Sequence, residues 1–233
     1  MDTTDTNYKE KSLKNKNVQL VKDPMSALTH LLGVILSFIG LAVLMHKSVK
    51  INSAIDVLAF GIYGLTSIML YTASTVYHTV KSTPEVEKML RKIDHTMVFF
   101  LIAGTYTPIC MIALKANEGN PRGLALLIAV WSIAILGTVF KFLFLSAPRW
   151  FYTVLYVAMG WVAVFVIVPL YHVLPMLGFV CLFLGGVLYT VGAVIYGFKN
   201  PKIGIKGFGF HEIFHVFVLL GSIAHYIMML TMI

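Results

Sequence analysis

Eight histidines stand in a chain of 233 residues, and two of them, His211 and His215, are four residues apart. On a helix that spacing puts both imidazoles on one face with Cβ atoms about 5–6 Å apart, so their ring nitrogens can share one metal ion. The same pair could instead be two interfacial histidines, each bonded to a neighbouring carbonyl. Earlier in the chain His78 follows Ser74 by four residues, and Asp94 stands beside His95. Three neutral imidazoles leave a fourth position open for water or substrate, the ligand set of a catalytic zinc. Beside such a metal, Asp94 could orient the water or a ligand ring and accept a proton. Its structural alternative is to cap a helix that starts next to Ile93. Ser74 shares a face with His78 and could bond the water or a substrate, or simply a carbonyl one turn back.

The element that must hold these groups is a membrane helix. The chain is 58% hydrophobic and 12% charged, with a mean hydropathy of +0.85, too little polar surface to cover a soluble domain. Its apolar residues come in blocks of about 20, the length that spans the hydrocarbon core. The blocks are Ser26–Met45, Ile55–Tyr77, His95–Leu114, Gly123–Leu145, Trp150–Leu170, Met176–Phe198 and Glu212–Met232. No strand-like alternation is present, and spanning helices satisfy their own backbone groups, so the expected class is all-α, a seven-helix membrane bundle. Residues 1–22 are polar and lysine-rich and are expected to be a cytoplasmic tail, leaving 23–233 as one membrane domain. The first apolar run is a full span without an obvious cleavage site, so it is expected to stay in place. Pro108 and Pro169 should interrupt the third and fifth spans. Cys110 and Cys181 lack the spacing of a metal or redox pair and are expected to pack in the core.

Positive charge sets the expected orientation. Lys9, Lys11, Lys14, Lys16 and Lys22 in the tail, Lys81, Lys88, Arg91 and Lys92 between spans 2 and 3, Lys141 and Arg149 at the 4–5 corner, and Lys199, Lys202 and Lys206 between spans 6 and 7 all fall at one end. Only Lys47, Lys50, Lys115 and Arg122 fall at the other. Short cytoplasmic loops retain positive charge, so the N-terminus is expected in the cytoplasm and the C-terminus outside, in the plasma membrane. The net charge of +8 then reflects topology and anionic lipid, and no nucleic acid partner is needed. This order of spans brings the end of the second, the start of the third and the start of the seventh to one membrane depth, which gathers His78, Asp94, His211 and His215. His225 lies ten residues beyond His215, about 15 Å along the helix axis, too far to ligate the same ion. His95 points about 100° around the helix from Asp94 and is the weaker ligand. His30 could contact a neighbouring helix or line the cavity above the metal.

These residues resemble the hemolysin III proteins, the bacterial branch of the progestin and adipoQ receptor group. The likeness runs from Asp23 to His225. It is carried by Ser74 and His78, by Asp94–His95 followed by Ala103-Gly104-Thr105-Tyr106-Thr107-Pro108, and by His211 and His215. The group's E-x-x-N-x-x-x-H opening has Asp23, Ser26 and His30 at its positions here. The resemblance implies zinc held by His78, His211 and His215, with Asp94 near its water. The wider superfamily includes alkaline ceramidases, which implies hydrolysis of a lipid amide drawn from the membrane lipids. Two other readings stand beside it: a lipid-binding receptor or sensor with structural zinc, and the cytolytic pore of the family name. Against the pore stands a chain too apolar to be released as a soluble monomer.

Overall fold

A computed structural model describes residues 21–143, 148–201 and 208–233. The described residues form a bundle of seven helices long and apolar enough to cross a membrane: α1 (Pro24–Lys50), α2 (Ala54–Thr79), α3 (Pro84–Ala113), α4 (Pro121–Leu143), α5 (Trp150–Val173), α6 (Met176–Phe198) and α7 (Phe210–Leu230). The expected tail lies outside the described residues except for Val21 and Lys22, as do Lys202 and Lys206.

The helices start where local chemistry tells them to. Proline occupies the first turn of α1, α3 and α4, where its missing N–H costs nothing. Ser53 Oγ accepts the Asp56 amide at the head of α2, and Thr83 Oγ1 that of Val86 at the head of α3. This last cap corrects the expected third span. The helix starts at Pro84, with Glu85 and Glu87 in its first turn, eleven residues before His95. Its first turns are polar and escape a search for apolar runs, yet Thr83-Pro84-Glu85 is a complete start signal. Asp94 therefore lies inside α3 and is not its cap.

Helices consecutive in the chain pack on one another except at the α4–α5 corner, where α5 packs on α6 and α3 instead; α7 closes against α1, with α2 and α3 the most enclosed. Small residues permit the close approaches that lipid-embedded helices rely on. A Cβ at Gly33 would overlap the Tyr71 ring, and one at Gly104 would overlap Thr66. Polar side chains lace the interior: Tyr71 and Tyr189 both bond Ser222 Oγ, at 2.6 and 2.7 Å, joining α2 and α6 to α7. His225 Nε2 reaches Leu182 O at 3.2 Å, mid-bundle and away from His215. Cys110 and Cys181 are buried free thiols.

Two helices depart from regularity. α3 continues past Pro108 as a π-helical turn, Ile109–Ala113. α5, counted from Arg149 by its backbone hydrogen bonds, divides into Arg149–Gly160, a 3-10 stretch Trp161–Val166 and Ile167–Val173. Pro169 explains part of the break, since its ring crowds the carbonyl of Phe165 and it has no N–H to donate. Tyr106 of α3 supplies the rest: its hydroxyl donates to Gly160 O at 2.6 Å and accepts the Ala163 amide at 2.8 Å. Both backbone groups would otherwise be stranded in a lipid environment. Tyr106→Phe should lower stability by about 1–2 kcal/mol, read as a lower melting temperature in detergent. An unchanged melt would mean that α5 holds its break without the hydroxyl.

Candidate metal centre

The start of α1 is tied to the end of α2 by backbone bonds, from Asp23 N to His78 O at 2.8 Å and from Lys22 N to Thr79 O at 3.3 Å. The seventh helix begins at the same level, with Glu212 Oε2 accepting the Gly209 amide at 2.8 Å and Oε1 accepting Ser26 Oγ at 2.7 Å. Three helix ends are thus fixed to one another by polar groups before any ligand is considered.

At their meeting point His78, His211 and His215 each offer a ring nitrogen, and these atoms lie within 4.8 Å of one another. His78 Nε2 and His211 Nε2 are 3.2 Å apart. The opposite nitrogens of two rings are occupied. His78 Nδ1 lies 2.9 Å from Asp23 Oδ2, and His215 Nδ1 lies 3.3 Å from Ser26 O and 3.4 Å from Thr29 Oγ1. A carbonyl and a carboxylate only accept, so both Nδ1 atoms carry the proton and both Nε2 atoms present bare lone pairs to the centre. That arrangement, in which a carboxylate or carbonyl holds the far side of a ligating imidazole, is what orients metal-binding histidines. The three rings are therefore close enough to hold a metal ion, and two of them, His78 and His215, are in the tautomer needed. His30 stacks on His215 with ring centroids 3.7 Å apart and planes within 10°, and meets Tyr71 edge-on. Both its ring nitrogens are buried without a hydrogen-bond partner. It lines the cavity, one of the two places its position in the first span suggests; its contacts to neighbouring helices are between rings, not the polar contact that is the other.

Beside the three rings runs a cavity of about 990 Å³ lined in part by His211, His215, Ser74 and Asp94. Asp94 and Ser74 are both buried; among the described residues Ser74 Oγ bonds no carbonyl one turn back, and its hydroxyl lies near enough to the Asp94 carboxyl to interact with it. His95 turns away from the trio. Its Nδ1 is 3.4 Å from Lys141 Nζ and its Nε2 is 3.9 Å from Asp94 Oδ2. Towards the bundle interior the lining becomes apolar and aromatic, with Leu101, Ile102, Trp161, Phe179 and Phe183.

Sequence reasoning gathered the three histidines, but Asp23 and Ser26 entered it only as positions of the opening motif, with no partner assigned to either. The Asp23 side chain, directly before Pro24, caps nothing and goes to His78. Glu212 sits between the two histidines of α7 and was readable as a neighbour of the site only through its partner Ser26, 186 positions away.

The sequence pattern of a family described as haemolysin-III related matches residues 18–226. Hemolysin-3 of Bacillus cereus is 38% identical over 205 residues, covering 88% of this chain and 89% of that protein. The hemolysin-3 homolog of Bacillus subtilis is 40% identical over 199 residues, 85% and 88% of the two chains. More distantly, the human monocyte to macrophage differentiation factor is 27% identical over 202 residues, 85% and 79%.

Purified protein should carry roughly one equivalent of a divalent metal, lost in His78→Ala and His211→Ala. Asp23→Asn should keep the metal but weaken its affinity about 10–100-fold, measured by competition with a chelator. Equal affinity in the wild type and Asp23→Asn would show that the carboxylate does not tune the site.

Proposed function

The chain belongs to the haemolysin-III-related family, and from that premise we propose that this multi-pass membrane protein is a zinc-dependent hydrolase of lipid amides, ceramide-like in general form. The observation that carries the reading is the convergence of three imidazoles, two with their Nδ1 protons already committed, beside a cavity that turns from polar to apolar. Zinc suits this donor set: His78, His211 and His215 would hold it through three neutral imidazole nitrogens that lie within 4.8 Å of one another, which would leave a position open for water or substrate. When bound, such an ion supplies Lewis acidity toward a carbonyl and makes water nucleophilic near neutral pH.

The remaining work falls to the protein. His78, His211 and His215 hold the ion, with Asp23 and the Ser26 carbonyl keeping two of the rings in their tautomers. The Asp94 carboxylate takes the proton from the attacking water and returns it to the leaving nitrogen. Water thus adds at the acyl carbon, the C–N bond breaks, and a fatty acid and an amine leave. Ser74 Oγ, buried beside Asp94, donates to the substrate. The apolar reach past Leu101 and Trp161 takes the acyl chain and excludes bulk water.

A second reading has its own support. The site's polar bonds link α1, α2 and α7, which is what a structural zinc in a lipid-binding receptor would reinforce. One pair of measurements separates the two. As a hydrolase, the purified protein should cleave members of a ceramide-like amide panel. Cleavage should vanish in His215→Ala and fall by about 10²–10⁴-fold in Asp94→Asn, with chelation removing activity. Sharp loss of thermal stability on chelation, with no amide in the panel cleaved, would instead make the metal structural.

The same reading puts the centre at the cytoplasmic face, by the bias of lysine and arginine toward the end that carries it. A reporter enzyme active only in the cytoplasm should then work when fused after Lys22 and fail when fused after Ile233; the opposite pattern would invert the topology.

A further inference from the structure

Four cations border the end of the cavity nearest the histidines. Lys88, Arg91 and Lys92 are spaced i, i+3 and i+4 on the polar first turns of α3, which gives them a common face. Lys141 joins them from the last turn of α4, and all four line the cavity. Lys141 Nζ lies 3.4 Å from the Tyr152 ring centroid, and Lys92 Nζ lies 5.5 Å from that of Phe142. Arg91 is near enough to Lys141 for the two to repel.

Carboxylates do not balance this charge. Of the acids on the same wall, Glu87 is taken by Lys22 at 3.3 Å, and buried Asp94, near enough to Lys141 to attract it, is one charge against four. Among the described residues, none of the ion pairs within 4.0 Å takes up Lys88, Arg91, Lys92 or Lys141. The preference for positive cytoplasmic loops explains why cations occur at this end, but it does not explain why they share a face that borders a cavity. Past them the lining runs through Asp94, Ser74, His211 and His215 to an apolar end at Ile167, Phe179 and Phe183.

We propose that this mouth is a binding site for the anionic head of a long-chain amphiphile, a phosphate or carboxylate, whose chain lies in the apolar reach of the cavity. Arg91 supplies the planar fork that grips such an oxyanion in two places, and the lysines add point charge around it. Resting on the hydrolase reading for the fate of the ligand, this deepens it: the amide cleaved carries an acidic head, and neutral ceramide is the poorer substrate. The head group anchors at the mouth and the acyl chain extends inward, so the amide carbonyl between them passes the histidines.

The test uses a probe with no amide bond, so its outcome does not depend on turnover. Full-length protein in phosphatidylcholine nanodiscs is titrated with hexadecyl phosphate, hexadecanol and inorganic phosphate. Hexadecyl phosphate should bind saturably, and roughly tenfold or more weaker in Arg91→Gln/Lys141→Gln. It should bind unchanged in Lys199→Gln, which removes an exposed cation from the same end of the bundle without touching the cavity. Hexadecanol and inorganic phosphate should each bind far more weakly. Equal binding of hexadecanol would overturn the role of charge, and equal binding of inorganic phosphate that of the chain. A loss in Lys199→Gln matching that in the double variant would reduce the site to general surface potential. Failure of the amide panel with intact hexadecyl phosphate binding would sink hydrolysis and leave the mouth standing.

Discussion

A histidine inside a membrane protein holds a bare nitrogen toward a fixed point when its other nitrogen keeps its proton and donates it in a hydrogen bond to a fixed acceptor. At His78 that acceptor is the Asp23 carboxylate, 2.9 Å from Nδ1, and most of the site follows from this contact. It needs the first residue before α1 to lie against the last turn of α2, which the backbone bonds between Asp23 and His78 secure. It turns His78 Nε2 toward His211. The same first turn of α1 then serves α7 twice, through the Ser26 carbonyl to His215 and the Ser26 hydroxyl to Glu212. One short segment, Asp23 to His30, thereby orients histidines on two other helices and covers one of them, His215, with a stacked imidazole.

The rest of the bundle shapes what reaches this centre. α3 passes it with a polar beginning and an apolar continuation, so one helix supplies cations at the cavity mouth, Asp94 alongside the histidines, and Leu101 and Ile102 deeper in. α5 lines the far side with interrupted backbone, which a membrane protein tolerates where a side chain such as Tyr106 satisfies the freed groups. The cavity therefore has a gradient along its length that matches the gradient of a lipid: charge, then a polar junction, then hydrocarbon.

Much of this was legible in the sequence because hydropathy and charge are additive along the chain. The seven spans and the all-helical class follow from windows of residues. The trio follows from one i, i+4 pair combined with the alternating direction of the spans, which puts His78 at the level of His211. What escaped depends on contacts that no window contains. Asp23 stands directly before a helix, and only the folded chain shows its carboxylate holding His78 on the next one. The start of α3 lies in residues too polar for a hydropathy search, so Asp94 read as a helix end although it stands well inside the helix. The break in α5 is legible at Pro169, but its position at Gly160–Val166 is set with a hydroxyl from α3, more than fifty residues away. His30 could be placed at the right depth, and only the folded chain lays it flat on His215.

The central claim is a metal held by three imidazoles contributed by α2 and α7. X-ray absorption at the zinc edge, measured on the purified protein, tests it most directly. The account predicts an inner shell of three nitrogen donors with imidazole outer-shell scattering and one further light atom, at about 2.0–2.1 Å. A spectrum dominated by sulfur or by oxygen alone, or protein without zinc after purification free of chelators, would contradict it.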